Sequence, residues 1–285
     1  MLWSLFLIAL AVDLSAADVP AAEREALVDI YNHCGGYRWV HQANWLKGDP
    51  CSNAWYGVQC DPTNSTIVFL DPTSRTALNP LYCKIPESIG NLTNLEWLYL
   101  SNDVFRSHLH GELPSTMQNL KKLRCLYLSH GNLNGTLPAW LNELPVLQGL
   151  FLRHNSFSGQ MPDLSGLKYL EDIWADTQYP GGGIVSNNMS WVNKWQYLTH
   201  IHIEANDFSG PLPEKLCSKS VHCHAFDNHW DCPLPTPGCC GVAKCPAHEA
   251  GRRRSSMKIS QSELRQRGDT YSSGSPLPYV CYIHQ

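Results

Sequence analysis

The stretch Leu126–Pro162 decides the fold, and it reads LYLSHGNLNGTLPAWLNELPVLQGLFLRHNSFSGQMP. It contains one pattern twice: an apolar frame of the form LxL, then a Gly-x-apolar-Pro step. The central leucines of the two frames, Leu126 and Leu150, are 24 residues apart, as are the steps at 135–138 and 159–162. A pattern that returns at a fixed period of this length indicates stacked structural repeats.

The longer frame LxxLxL occurs five times, as LEWLYL at 95–100, LRCLYL at 123–128, LQGLFL at 147–152, LEDIWA at 170–175 and LTHIHI at 198–203. Further Gly-x-apolar-Pro steps stand at 111–114 and 210–213, and degenerate units flank the series at 67–86 and 223–235. Successive side chains of a strand point to opposite faces, so the paired leucines of each frame face inward. One unit cannot bury its apolar face alone, whereas stacked neighbours share a continuous core. The repeats therefore predict a solenoid with a parallel sheet.

A polar residue after each strand is predicted to support the following turn. In three repeats it is asparagine, at Asn155, Asn206 and Asn228. An inward-facing amide there can satisfy buried backbone groups. Asp103 and Gly131 take that place in two other repeats. The row of stacked asparagine side chains, which we call the asparagine ladder, is therefore expected to be incomplete there. Two insertions, Val104–His108 and Gln178–Ser186, are predicted to form loops that border the binding face.

The composition favours a folded, secreted chain. The 285 residues are 43% hydrophobic and 16% charged, with a formal net charge of −4. These values suit one or two domains and give no electrostatic reason to bind nucleic acid or an anionic membrane. Leu2–Val12 is an apolar run of signal-peptide length, and Ser15 and Ala17 form a small-x-small site, which predicts cleavage after Ala17. No later run approaches the roughly 20 apolar residues of a membrane span.

All twelve cysteines follow the predicted cleavage site, and an even number in a secreted chain indicates disulfide bonds. A link between Cys34 and Cys83 is the preferred pairing near the first repeat. A bridge between Cys83 and Cys125 is geometrically doubtful, and Cys281 stays unassigned. Four Asn-x-Ser/Thr sequons are predicted glycosylation sites, at Asn64, Asn91, Asn134 and Asn188.

Over residues 23–235 the repeats resemble the plant-type leucine-rich repeat, whose consensus is LxxLxxLxLxxNxLxGxIP. This family includes the ectodomains of receptor-like kinases and the secreted polygalacturonase-inhibiting proteins. The resemblance implies a leucine-rich-repeat solenoid, a right-handed superhelix with a parallel concave β-sheet. It also implies a second, smaller strand set and disulfide-linked N- and C-terminal caps.

The resemblance divides the chain into a signal peptide (1–17), an N-terminal capping module (18–66), leucine-rich repeats (67–216), the last repeat with a Cys-rich cap (217–245) and a tail (246–285). It pairs Cys51 with Cys60 in the N-terminal cap. The cysteines of the C-terminal cap are predicted to be oxidised, at Cys217, Cys223, Cys232, Cys239, Cys240 and Cys245. Their pairing is open, and a zinc site is the alternative that a secreted context disfavours. The tail, basic at Arg252–Arg254 and rich in serine, is predicted to be flexible.

One outward position in each repeat carries an aromatic ring. Counted between the inward residues, the position holds Tyr99, Tyr127, Phe151, Trp174, His202 and His224. Exposed rings on a concave surface, beside the charged residues Arg153, Asp176 and Glu204, suit an extracellular protein or carbohydrate ligand. These nine residues form the predicted partner-binding site. The alternative is that the rings only pack against one another across neighbouring strands.

Four histidines, His200, His202, His222 and His224, lie on two adjacent predicted strands. The sequence predicts no metal and no cofactor. Two alternative roles for the four histidines are metal ligation together with Glu204 and a pH-sensitive patch. A nucleophile elbow, a zinc-protease helix and a kinase motif set are all absent from the sequence, so no catalytic residue is predicted.

The leading hypothesis is a secreted recognition protein that binds its partner through the concave face. An inhibitor of a secreted polysaccharide-degrading enzyme is the first alternative, by resemblance. A structural protein of the cell wall or matrix is the second. The sequence does not predict an oligomeric state.

Overall fold

The computed structural model describes residues 18–73, 79–101, 108–178, 183–236 and 238–242. The predicted signal peptide and tail, Asp103, Cys245 and Cys281 lie outside the described residues, as do 104–107 and 179–182 of the two predicted insertions. In the second insertion Ile184–Ser186 forms a strand, so the prediction of a loop is wrong for these residues. Within them the chain forms a helix, short strands and single-turn 3-10 helices.

The helix α1, Ala21–His33, covers the N-terminal end of the repeats. Its apolar side chains Ala26, Leu27 and Ile30 are buried, because their three- and four-residue spacing places them on one face. Glu23 is buried on the same side, where its carboxylate accepts hydrogen bonds from Thr66 Oγ1 at 2.6 Å and Ile67 N at 2.8 Å. The helix is therefore tied to the first strand of the repeats by a charged acceptor.

In chain order the strands are β1 Val58–Cys60, β2 Ile67–Leu70, β3 Trp97–Tyr99, β4 His110–Gly111, β5 Cys125–Tyr127, β6 Asn132–Gly135, β7 Gly149–Phe151, β8 Ser156–Phe157, β9 Gly159–Gln160, β10 Asp172–Trp174, β11 Ile184–Ser186, β12 His200–His202, β13 Asp207–Gly210, β14 His222–His224 and β15 His229–Trp230. Eight of them form one sheet in the order β1-β2-β3-β5-β7-β10-β12-β14. All neighbours from β2 onward are parallel, and β1 is antiparallel to β2. The predicted parallel sheet is confirmed, and we call its outward side the concave face.

Two smaller sheets lie at the Gly-x-apolar-Pro steps, in the orders β4-β6-β8 and β9-β11-β13-β15. The strands β4, β6 and β13 end on a step glycine, and β9 begins on one. The step glycines have positive φ, as at Gly135 with 83°, where a Cβ would also lie 2.6 Å from the Glu112 side chain. A proline then precedes a 3-10 turn in four repeats, at Glu87–Asn91, Ser115–Asn119, Ala139–Glu143 and Glu214–Cys217. Proline suits this place because its φ is already fixed near the helical value.

The core consists of the inward residues of the frames, stacked repeat upon repeat. Leu98, Leu126, Leu150, Ile173 and Ile201 are all fully buried. Such side chains contribute about 1.5–3 kcal/mol each through burial, which is the main force that holds the repeats together.

The predicted asparagine ladder is present. Asn155 donates to the carbonyls of Leu128 at 2.8 Å and Leu152 at 3.0 Å, and its Oδ1 accepts from Leu133 N at 3.1 Å. The amides of Asn206 and Asn228 also bond the backbone across two repeats. Each amide therefore links neighbouring repeats where their strands end.

Disulfide bonds close both ends of the solenoid. Cys51 is bonded to Cys60 and Cys34 to Cys83, which agrees with the pairings expected from the sequence. In the C-terminal cap, where the sequence left the pairing open, the bonds are Cys217–Cys239 and Cys223–Cys240. Cys125 and Cys232 are disulfide-bonded as well, so no cysteine in the described ranges is a free thiol.

Candidate functional site

The aromatic residues predicted from the frames form a continuous column on the concave face. Its members are Tyr99, Tyr127, Phe151, Trp174, His202 and His224, and each is the register partner of the next. The centroids of successive rings are 5.8, 5.3, 5.7, 4.6 and 4.5 Å apart. This spacing is that of side chains stacked across adjacent strands.

The expectation that all these rings are exposed is wrong. Tyr99 is 2% exposed, Tyr127 3% and Phe151 0%, and together with Cys125 they form a second hydrophobic cluster. Only Trp174 and His224 are partly exposed, and His202 is buried. The N-terminal half of the column is thus buried rather than exposed.

Beside the C-terminal half of the column lie the charged residues Arg153, Asp176 and Glu204. Arg153 Nε is 3.6 Å from Asp176 Oδ2, and the guanidinium carbon is 5.4 Å from the centroid of the Trp174 ring. Glu204 Oε1 is 3.7 Å from Nδ1 of His202 and 3.9 Å from Nδ1 of His224. The structure therefore brings all of these predicted residues together in one polar region.

Burial changes the acidity of the carboxyl groups in this region. It raises the pKa of Asp176 to about 6, against the opposing effect of the Arg153 guanidinium. Burial likewise raises the pKa of Asp172 and of Glu204. The concave face therefore holds carboxyl groups that keep their protons to higher pH than exposed ones do.

The histidines are shifted in the opposite direction by the same burial. The pKa of His202 is lowered to about 4, and that of His224 is also lowered. These rings are therefore neutral at pH 7. A pH-sensitive patch that switches near pH 6.5, which the sequence suggested as an alternative, is not formed by His202.

The structure brings three of the four histidines together and separates the fourth. His202, His222 and His224 each place one ring nitrogen within 4.8 Å of those of the other two. We call these three residues the histidine cluster. Nδ1 of His200 instead lies 2.6 Å from Asp172 Oδ1, so this histidine has a carboxylate partner of its own.

The concave face also contains most of the buried side-chain polar atoms that make no hydrogen bond among the described residues. Nine buried side-chain N and O atoms of the described residues make no hydrogen bond, and seven of them lie on this face. The seven are Ser101 Oγ, Ser129 Oγ, Arg153 Nε, Asp172 Oδ2, Trp174 Nε1, Asp176 Oδ1 and Glu204 Oε2. A buried polar group without a partner costs about 1–3 kcal/mol, so their concentration on one surface calls for an explanation.

Sequence reasoning missed two residues that shape this region. Gln178, assigned to a loop insertion, extends the asparagine ladder: its Oε1 accepts from Phe157 N at 3.1 Å and its Nε2 donates to Leu152 O at 3.1 Å. It stands five positions after Ile173, as Asn155 does after Leu150, and that spacing was the available signal. Asp172 was not selected either, although it is the buried partner of His200.

The four predicted glycosylation sites, Asn64, Asn91, Asn134 and Asn188, are all exposed, so each is accessible to modification. Glycosylation at these positions stays a prediction. Among the described residues no helix combines the length and the apolar character that crossing a membrane requires.

Comparisons with known proteins agree with the fold. The sequence profile of the family described as Leucine Rich Repeat matches residues 122–144. Leucine-rich repeat protein FLOR 1 of Arabidopsis thaliana is 34% identical over 92 residues, which cover 32% of this chain and 26% of FLOR 1. The matched part thus spans about a quarter of that relative's length.

Two solved ectodomains from Arabidopsis thaliana share the architecture. That of the receptor kinase SOBIR1 is 22% identical with a TM-score of 0.54, covering 69% of this chain and 100% of its own. The ectodomain of GASSHO1/SCHENGEN3 was solved in complex with CASPARIAN STRIP INTEGRITY FACTOR 2. It is 20% identical with a TM-score of 0.52, and the match covers 75% of this chain and 30% of that ectodomain. These likenesses show that the chain has the leucine-rich-repeat solenoid fold.

Proposed function

We propose that the protein is a secreted recognition protein that binds an extracellular partner through the C-terminal half of its concave face. The observation that carries this proposal is that Arg153, Trp174 and Glu204 are partly exposed side chains in this half of the face, whereas Tyr99, Tyr127 and Phe151 in the other half are buried. A partner can therefore contact charged and aromatic side chains in the C-terminal half.

The residues present define the chemistry of the partner. The partly exposed carboxylate of Glu204 offers a hydrogen-bond acceptor, whereas the partly exposed guanidinium of Arg153 offers donors. The Trp174 ring, partly exposed, adds a flat apolar surface of the kind enriched at binding hot spots. This combination suits a protein segment that presents basic or hydroxyl groups, and a carbohydrate is the alternative ligand.

Two further observations support an extracellular role. Disulfides at both ends of the solenoid fit a protein that folds in an oxidising compartment. The GASSHO1/SCHENGEN3 ectodomain was solved with a bound partner, so this fold accommodates recognition. An enzyme-inhibitor role rests on family resemblance alone, since no described contact favours it.

The test begins with capture of partners from extracellular fluid on immobilised protein, in parallel with a glycan array. The affinity of the identified partner is then measured for wild type, Trp174→Ala and Arg153→Ala. We expect each variant to weaken binding at least tenfold, since hot-spot aromatic and arginine residues each contribute about 2 kcal/mol or more.

The matched control is Tyr197→Ala, because Tyr197 is an exposed aromatic residue that stacks on Tyr169, away from the concave column. This variant should bind as the wild type does, and circular dichroism should show that all variants are folded. If Trp174→Ala and Arg153→Ala bind with unchanged affinity, the proposal is wrong.

A further inference from the structure

The histidine cluster has the arrangement of a transition-metal site. β12 and β14 are parallel neighbours, with His202 opposite His224 and His200 opposite His222. The ring centroids of His202 and His224 are 4.5 Å apart, and those of His222 and His224 are 4.9 Å apart. Three imidazoles thus converge on one point of the concave face, where their ring nitrogens lie within 4.8 Å of one another.

We propose that this cluster binds one divalent transition-metal ion, Zn²⁺ in the first place, through His202, His222 and His224. Zn–N bonds of about 2.0–2.1 Å in a tetrahedral site place the nitrogens about 3.3 Å apart. The three ring nitrogens, which lie within 4.8 Å of one another, would approach that spacing by rotation about the histidine side-chain bonds. Imidazole nitrogen is a preferred ligand of zinc, copper and nickel, and the three rings leave a coordination position open.

Glu204 supplies the support that histidine ligands require. Ligating histidines usually donate their other ring N–H to a carboxylate or carbonyl, which fixes the tautomer and the ring orientation. Glu204 Oε1 lies 3.7 and 3.9 Å from the Nδ1 atoms of His202 and His224, near enough to accept from both after a small shift. Its second oxygen, Oε2, is buried and has no hydrogen-bond partner. The Glu204 carboxylate therefore orients two ligands and contributes negative charge beside a cation.

Exposure and competing contacts decide which histidines take part. His222 is exposed and His224 half-buried, so an ion can reach the cluster from solvent. His200 does not take part because its ring nitrogens are not in the group that lies within 4.8 Å of one another. The positive charge of Arg153 opposes metal binding. This guanidinium lies beside Asp176 and Trp174, and the Asp176 carboxylate offsets part of its charge.

The experiment uses the untagged full chain after treatment with a chelator. Zn²⁺ is titrated by isothermal calorimetry, and Co²⁺ by its visible absorption, which reports coordination geometry. We expect one ion per chain for the wild type. His222→Ala removes an exposed ligand and should weaken binding at least tenfold. Glu204→Gln should weaken it about 10–100-fold, as loss of a supporting carboxylate does.

The matched control is His110→Ala, an exposed histidine on β4, far from the cluster. It should leave affinity and stoichiometry unchanged. The absence of saturable binding to the wild type overturns the proposal, and so does equal weakening by His222→Ala and His110→Ala. Metal binding is measured without the extracellular partner, so its failure leaves the proposed recognition function standing.

Discussion

At the scale of the residue, the side-chain amides at the ends of the strands show what the spacing of residues in the repeats can predict. Asn155, Asn206 and Asn228 were predicted to turn inward, and each does so with bonds to the backbone of two repeats. Gln178 performs the same task with a side chain longer by one methylene. A search for asparagine alone does not find Gln178. Counting five positions from Ile173, as from Leu150 to Asn155, does find it.

Gln178→Ala should lower the free energy of unfolding by about 1–3 kcal/mol, because the buried Phe157 N loses its hydrogen-bond acceptor. The measurement is urea denaturation followed by circular dichroism. Gln196→Ala, at an exposed position, is the control and should change stability by less than about 0.5 kcal/mol. Equal stability of the two variants would show that Gln178 has no part in the ladder.

Asp176 gives a pH dependence with a defined sign. Its pKa is about 6 in the fold and ordinary, near 3.8, in the unfolded chain, so the folded state holds this proton more tightly. The carboxyl therefore reduces stability progressively as pH rises from about 4 through 6. Asp176→Asn should increase the free energy of unfolding at pH 8 by no more than about 3 kcal/mol, and the melting temperature should rise accordingly. At pH 3.5 the substitution should have little effect on either quantity.

Asp207→Asn, a substitution of an exposed aspartate, controls for the general effect of removing one negative charge. A gain in stability for Asp176→Asn that is the same at pH 3.5 and pH 8 would contradict the assigned pKa.

At the scale of the element, the aromatic column separates what periodicity can predict from what it cannot. The LxxLxL frame predicted the register of all six rings, because outward residues of parallel strands align once their frames align. It could not predict that the rings of Tyr99, Tyr127 and Phe151 are buried. Burial on an outward face depends on how closely neighbouring rings and flanking side chains pack, which no single repeat encodes.

Phe151→Ala should therefore destabilise the protein by about 3–5 kcal/mol, as expected when a fully buried phenylalanine is truncated. Thermal and urea unfolding measure this loss. Tyr169→Ala, at an exposed aromatic position, is the control and should be nearly neutral. If Phe151→Ala leaves stability intact, the ring is exposed and the N-terminal half of the column belongs to the binding surface.

At the scale of the whole molecule, the solenoid, its parallel sheet and the Cys51–Cys60 and Cys34–Cys83 bonds followed from the sequence. The pairing in the C-terminal cap did not, because many connectivities satisfy the same cysteines. The division of the concave face was also beyond the sequence. Its N-terminal half contains an apolar cluster, and its C-terminal half contains the histidine cluster and five of the seven buried polar atoms without a hydrogen bond. That division depends on packing between repeats.

The central claim is that the C-terminal half of the concave face recognises the partner, and hydrogen–deuterium exchange of the complex with the captured partner tests it most directly. We predict that binding slows amide exchange in 151–154, 172–178 and 200–206, where Arg153, Trp174 and Glu204 lie. The opposite strands β9, β11 and β13 should be unaffected. Protection confined to those opposite strands, with unchanged exchange on the concave face, would contradict the account.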